Sequence, residues 1–501
     1  MIIQGEEVKE KLLQGINLVA DTVAPTLGPQ AKTVILQGEP PVIVNDGVTI
    51  TKYVSHEDPY VQMGVQMVQN LASKAQDSSG DGTTTACILA QALCNAIANP
   101  DNTGEYTTHE MYHLIENFKG AMIGALDGLS KDVSDEEILS VATIAANNDE
   151  VLGHLIAHAI AKVGREGIVT VEESKSHVTE LVVREGMQLT EGYISHLMAN
   201  TDNGKTIFEN PLIFMSNLKF RNFKDIIAML EFASSQSRPL VIFCKGMDGS
   251  ALNNLIMNII NKTVECAVVL APNFGDHQLD ELADIQCMVG GTIFTEESKD
   301  SASEFTKEDF GNCEKIIISK ERSIIIGGQS DEVVISERIQ YLKEQTKEME
   351  GYDVARLKSR IARLKGGVAT IKVGASSSME LLEKKERLDD ALNATKAGLD
   401  EGIIVGGGTG LMNAVTLVAH NFPHWLIMAM SSPYHTLFHN SNREAIPYNS
   451  VLGFNAKTGK MEDLEEAGVF DPVKVTKNSL LAALSIAQLF YSTEVAVLVE
   501  E

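Results

Sequence analysis

Basic charge, clustered cysteines and long apolar runs are what this sequence is short of. Lys and Arg number 41 against 68 Asp and Glu, a formal net charge of −27. Such an acidic chain is repelled by phosphate backbones and anionic headgroups, which argues against nucleic acid or a membrane surface as its main partner. No apolar stretch reaches the ~20 residues that a spanning helix needs, and the first residues lack the basic-then-apolar order of an export signal. The six cysteines (Cys87, Cys94, Cys244, Cys266, Cys287 and Cys313) are scattered through apolar contexts without metal-like spacing. Reduced, buried thiols in a cytoplasmic protein are the expectation. With 44% apolar and 22% charged residues the chain reads as folded. Its 501 residues exceed one ordinary core, so two or three domains are expected.

The most informative segment is Gly80-Asp81-Gly82-Thr83-Thr84-Thr85. Upstream, Val61, Val65, Val68, Ala72 and Ala75 recur at helical spacing; downstream, Ala86 to Ile97 is an apolar helix pattern without a breaker. The glycines allow backbone N–H groups to approach an anion, and the threonines fall on the first turn of the second helix. There, free amides and the helix dipole favour phosphate. A carboxylate inside an anion site repels phosphate unless a cation lies between them, so Asp81 reads as a ligand for Mg²⁺. The hexapeptide alone is equally compatible with a Gly-Asp-Gly loop and an ordinary Thr cap.

Further motifs follow in order. Thr26-Leu27-Gly28-Pro29 precedes a strand pattern (Thr33 to Leu36), and Asn45-Asp46-Gly47 follows another (Val42 to Val44). Much later come Asp389-Asp390-Ala391-Leu392-Asn393-Ala394-Thr395, Glu401-Gly402-Ile403-Ile404-Val405-Gly406-Gly407-Gly408, and Asp471-Pro472. Together and in this order, these segments resemble the nucleotide site of the group I chaperonins, the GroEL-type family, from about Glu6 to Val497.

The resemblance implies an ATPase with ATP, Mg²⁺ and K⁺ as cofactors. It assigns Asp81 to the metal, and Thr26, Leu27, Gly28, Pro29, Gly82, Thr83, Thr84 and Thr85 to the phosphates. Gly407, Asn455 and Asp471 would hold adenine and ribose. Asp390 would activate the attacking water, with Asp46 in support of the water or metal shell, and a domain closure after ATP binds would bring Asp390 to Asp81 and assemble the site. Tyr193, Leu197, Met198, Ile227, Leu230, Leu252, Ile256 and Met257 match the groove that grips non-native polypeptides, where flexible apolar side chains bind without sequence readout; Asn258 matches a position beside them. Without the family, such stripes are more often core. Gly186, Gly366, Gly367 and Gly402 match hinge positions, although any could be a plain turn.

Along the chain, residues 1 to about 128 are mostly helical with a β-ribbon near 33–52. Strand patterns (Pro211 to Met215, Pro239 to Cys244, Cys266 to Leu270) alternate with helices (Phe223 to Ala233, Ser250 to Ile260) between 185 and about 330. Residues 334–365 are a charged helical stretch, and 402–501 return to helix. The expected fold class is multidomain α and α/β, the GroEL-type chaperonin fold. The resemblance implies an equatorial ATPase domain from 1–128 and 401–501, a small intermediate domain from 129–184 and 369–400, and an inserted α/β apical domain from 185–368. Its implied partners are non-native polypeptides, a GroES-type co-chaperonin and identical copies forming seven-membered rings.

The chain also departs from the family pattern. Asn45 replaces a lysine whose carbonyl helps hold a monovalent cation, which bears on K⁺ dependence. Leu197 and Met198 replace two aromatics, and Asp132 replaces a hinge proline. The stretch Leu411–Gly453 is shortened, and the chain stops at Glu501 without a Gly-Gly-Met tail. Weakened ring stacking is expected. His109-Glu110-Met111-Tyr112-His113 fits the zinc-protease motif H-E-x-x-H, but no third ligand is evident downstream and packed or surface histidines are expected. An ATP-driven folding chaperone is therefore the leading reading; a ring-forming holdase or scaffold with a slowed or lost ATPase cycle is the alternative.

Overall fold

The computed structural model describes residues 2–37, 42–104, 106–165, 167–174, 176–201, 203–273, 275–295, 305–328, 332–347 and 352–498. Glu501, on which the expectation of a missing Gly-Gly-Met tail rests, lies outside them. The chain divides into two compact units. The first comprises Met1–His158, Val171–Glu180 and Lys372–Glu501, and the second Ala159–Thr170 and Leu181–Ile371.

Five long helices build the core of the first unit: Glu6–Val23, Pro59–Ser79, Thr83–Ala98, Thr108–Leu129 and Val473–Ser492. Their apolar stripes converge on residues such as Ile16, Val65, Leu89, Phe118, Leu480 and Phe490, all essentially excluded from solvent. The first two helices touch backbone to backbone. A Cβ at Gly15 would lie 2.2 Å from the Val61 carbonyl oxygen, and one at Gly64 would lie 2.2 Å from that of Leu12. A larger residue at either position would force these helices apart.

Around this bundle sit two-stranded pieces. Val34–Leu36 pairs antiparallel with Val42–Val44, Ile403–Val405 with Phe470–Pro472, and Gly453–Asn455 with Lys460–Glu462. The expected ribbon near 33–52 is therefore too long. Residues Gly47–Tyr53 form a helix instead, because Asp46 caps it: its carboxylate accepts from Val48 N at 3.2 Å and Thr49 N at 2.7 Å. The helices Asp135–Ala145 and Ser378–Glu401 pack against one another in the same unit.

The second unit is α/β. Strands lie in the order Cys266–Leu270, Leu240–Cys244, Leu212–Ser216, Gly311–Ile318, Ser323–Gly328, Glu180–Leu189, Gly367–Val373, Ile168–Glu173; of the last three, Glu180, residues 372–373 and residues 171–173 fall in the first unit. The first three are parallel, Gly311–Ile318 runs antiparallel to both Leu212–Ser216 and Ser323–Gly328, and Ser323–Gly328 runs antiparallel to Glu180–Leu189. Continuous apolar runs such as Leu240–Cys244 are buried throughout, as expected of strands covered on both faces. Within the expected charged helical stretch, Glu332–Thr346 and Tyr352–Lys365 are helices with buried charge. Arg360 is fully buried and donates to Asp284 at 2.6 and 2.9 Å; Arg338 also reaches Asp284 at 2.8 Å, and Arg363 reaches Glu281 at 2.6 Å. Such pairs hold register more than they add net stability, since desolvation offsets their attraction.

Candidate functional site

The Gly-Thr segment lies at the mouth of two helices. Pro59–Ser79 ends on Gly80 in the left-handed region (φ 67°), and Gly82, also left-handed (φ 89°), starts Thr83–Ala98 with no side-chain cap. The first amides of that helix are thus left for a ligand. The Thr83 hydroxyl is buried without a partner, and the Thr84 hydroxyl meets that of Thr26 at 3.2 Å. A Cβ at Gly82 would fall 2.4 Å from Ser479 Oγ, which itself donates to the Gly82 carbonyl at 2.9 Å.

Other chain segments close on the same point. Thr26, Leu27, Gly28, Pro29, Asp46, Asp81, Gly82, Thr83, Thr84, Thr85, Asp390, Gly407, Asn455 and Asp471 all line one cavity of about 290 Å³ within the first unit. Asn45 lines it too. Strand pairing opposes Asp471 to Ile404, and the Gly408 N–H donates to its carboxylate. Asn455 is buried, and its Oδ1 accepts from Lys457 N at 3.0 Å and Thr458 N at 3.3 Å.

The electrostatics are those of anions crowded away from water. Burial first and the Asp46 charge with it push the Asp81 carboxyl up to about 6, against a 2.5 Å hydrogen bond from Gly82 N. Asp390 is raised well above the ordinary range, by burial first and then by Asp81 and Asp46. Asp471 is raised to about 7 by burial, with Asp81 adding to it. Among the described residues no lysine or arginine pairs with Asp81, Asp390 or Asp471. Nor do three ligating side chains converge on one point there. The residues therefore fit a divalent cation that takes few protein oxygens and completes its shell with phosphate and water, which is the habit of Mg²⁺.

Several cavity residues were not singled out from sequence. Glu386 lies one turn before Asp390 on the same helix and is raised to about 7 by burial, then by Asp46. The i, i+4 spacing from Asp390 was the available signal. Gln76 Nε2 reaches Asp390 Oδ1 at 3.4 Å. Arg387 lines the cavity with Nε unpartnered while its guanidinium pairs with Asp149 at 3.6 Å. Asn440, outside the cavity lining, donates 2.9 Å hydrogen bonds to the carbonyls of Ala24 and Leu27, holding the Thr26–Pro29 turn. Nothing local marks Asn440 in the sequence.

In the second unit the expected groove residues divide. Met257 is 56% exposed and Leu197 42%. Tyr193, Ile227, Leu252 and Ile256 are half-buried. Met198 (2%) and Leu230 (7%) are core instead, packed beneath the helices Lys224–Ser235 and Gly249–Ile260. Met198 Sδ accepts from Val268 N at 3.3 Å, so these two side chains face inward rather than toward a partner. Asn258 Nδ2 donates to the Asn254 carbonyl of its own helix. Gly186 is a strand residue whose Cβ would meet the Ile325 carbonyl at 2.4 Å, Gly366 and Gly367 join a helix to a strand, and Gly402 ends Ser378–Glu401 with φ 83°.

Among solved structures the fold is similar to the chaperonin gp146 from the bacteriophage EL 2 (Pseudomonas aeruginosa), crystallised in the presence of ATP-BeFx. In crystal form II the TM-score is 0.76 at 19% identity, covering 100% of both chains. In form I it is 0.68 at 18%, covering 100% of this chain and 99% of that one. The fold is accordingly the chaperonin fold, multidomain α and α/β. A family model described as the TCP-1/cpn60 chaperonin family matches residues 19–422, and the protein belongs to that family.

Proposed function

We propose that the protein is an ATP-hydrolysing, GroEL-type chaperone that binds non-native polypeptides and promotes their folding in a ring cavity. The observation that carries this is the cavity itself: a capless glycine-threonine helix start faced by Asp81, Asp390 and Asp471, all half-buried and, among the described residues, without a cationic partner. Bound with the nucleotide, Mg²⁺ supplies charge neutralisation at the phosphates. The amides of Thr83, Thr84 and Thr85 and the unpartnered Thr83 hydroxyl donate to phosphate oxygens. Asp81 would hold the Mg²⁺, and the Asn45 backbone carbonyl would help hold K⁺. Asp390, oriented by Gln76, takes the proton of the attacking water, and its upward shift makes it a stronger base once ionised. Asp46 shapes the field beside it while both its oxygens cap Gly47–Tyr53. Gly407, Asn455 and Asp471 hold the nucleoside.

The same reading divides the chain into equatorial (1–128, 401–501), intermediate (129–184, 369–400) and apical (185–368) domains, with Gly186, Gly366, Gly367 and Gly402 as hinges. Leu197, Met257 and their half-buried neighbours form the polypeptide-binding face. Identical copies form rings in the cytoplasm, with a GroES-type lid as a further partner. Steady-state ATPase of the wild type beside Asp390→Ala, with Mg²⁺ and with or without K⁺, tests the proposal. The expected result is a fall of ~10²-fold or more with ATP binding retained. Two equally inert proteins that still hold unfolded chains would replace it with the holdase reading.

A further inference from the structure

The H-E-x-x-H segment lies outside the nucleotide cavity, and its geometry points elsewhere than proteolysis. His109 and His113 sit one turn apart at the start of the helix Thr108–Leu129, both exposed, with Nε2 atoms 3.1 Å apart. Two nitrogens bound to one tetrahedral ion through ~2.0–2.1 Å bonds are ~3.3 Å apart, so the pair already stands close to chelating distance. Glu110 is not available as a water-activating base. Its Oε2 accepts from Thr107 N at 2.8 Å and Thr107 Oγ1 at 2.7 Å, completing a capping box. That box, and the buried Met111, Ile115 and Phe118 on the opposite face, fix the turn that carries both rings. An edge contact from Tyr112 at 5.8 Å further orients His113.

We propose that His109 and His113 form a two-imidazole chelate for a borderline transition-metal ion such as Zn²⁺, Ni²⁺ or Cu²⁺, distinct from the Mg²⁺ chemistry of the nucleotide cavity. In the ion-free protein one ring donates its Nε2–H to the other. On binding, the donor ring carries that proton on Nδ1 instead, both Nε2 lone pairs face the ion, and no net proton is released. Water fills the remaining positions. Imidazole suits Zn²⁺, Cu²⁺ and Ni²⁺ where oxygen suits Mg²⁺, and affinity rises to Cu²⁺ in the usual order. Protonated rings cannot ligate, so binding weakens in acid.

Calorimetric titration of full-length, tag-free protein with Zn²⁺ and with Cu²⁺ tests this, comparing wild type, His109→Ala, His113→Ala and the double variant. Other i, i+4 histidine pairs (His154/His158, His420/His424, His435/His439) add a background, so the difference between proteins is what is read. The wild type should bind one equivalent more than the double variant. Each single variant should weaken that equivalent at least ~10-fold, with circular dichroism unchanged. Equal stoichiometry and affinity in all four proteins would overturn the proposal, as would displacement of the bound ion by millimolar Mg²⁺.

Discussion

Asp471 carries a pH dependence that can be worked out from its surroundings. Its folded carboxyl titrates at about 7 because it is buried beside Asp81, whereas an exposed Asp in the unfolded chain titrates near ~3.9. Between those values the folded protein binds more protons, so this group lowers stability progressively as pH rises from about 4 to about 7. Asp471→Asn removes that loss. In the nucleotide-free protein, the melting temperature of the variant relative to wild type should therefore climb between pH 5 and pH 8; parallel curves would contradict the assignment. Glu386 is raised for the same reason, and Glu386→Gln should show the same trend. Asp81 was legible from sequence because its glycines and threonines are contiguous with it. The burial of Asp471 was not, since Ile404 opposite it, Asp81 beside it and the Gly408 N–H that offsets part of the cost are all distant in the chain.

The helix Ser432–Asn440 has a task that its own sequence does not announce. Its last residue, Asn440, ties two carbonyls of the Ala24–Leu27 turn; Asn440→Ala removes both hydrogen bonds, and since the Ala24 carbonyl keeps the Leu27 N–H, the half-buried Leu27 carbonyl loses most, at a cost of ~1–3 kcal/mol. The expected signature is a weaker nucleotide Kd with a smaller change in kcat, read by equilibrium binding and steady-state assay; an unchanged Kd would remove Asn440 from the site. Helices such as Glu6–Val23 and Thr108–Leu129 were readable from periodicity because each buries a stripe, whereas Thr83–Ala98, with Ala86 to Ala90 all buried, was readable as an unbroken apolar run. The short helix Gly47–Tyr53 was read as ribbon, since a single N-cap by Asp46 outweighed the β-branched residues Val48, Thr49, Ile50 and Thr51.

For the molecule as a whole, surface and core must be separated before a partner face can be assigned. Leu197→Glu and Met257→Glu alter exposed side chains, and should weaken capture of a denatured polypeptide while leaving the ATPase rate and the melting temperature nearly unchanged. Met198→Ala removes a core side chain and should instead cost ~2–5 kcal/mol in denaturant unfolding. If the two glutamate variants capture unfolded chains as well as wild type does, the face lies elsewhere.

Sequence alone determined the family resemblance, the helical and α/β character of successive segments and the glycine-threonine turn that starts Thr83–Ala98. These depend on local spacing and on glycines whose backbone demands are their own. Tertiary structure decided which apolar residues stay outside, which carboxylates lose their water, and which remote side chains such as Asn440 and Gln76 complete the site. Burial and solvation are set by what packs opposite a residue, and the neighbours that pack there come from far along the chain.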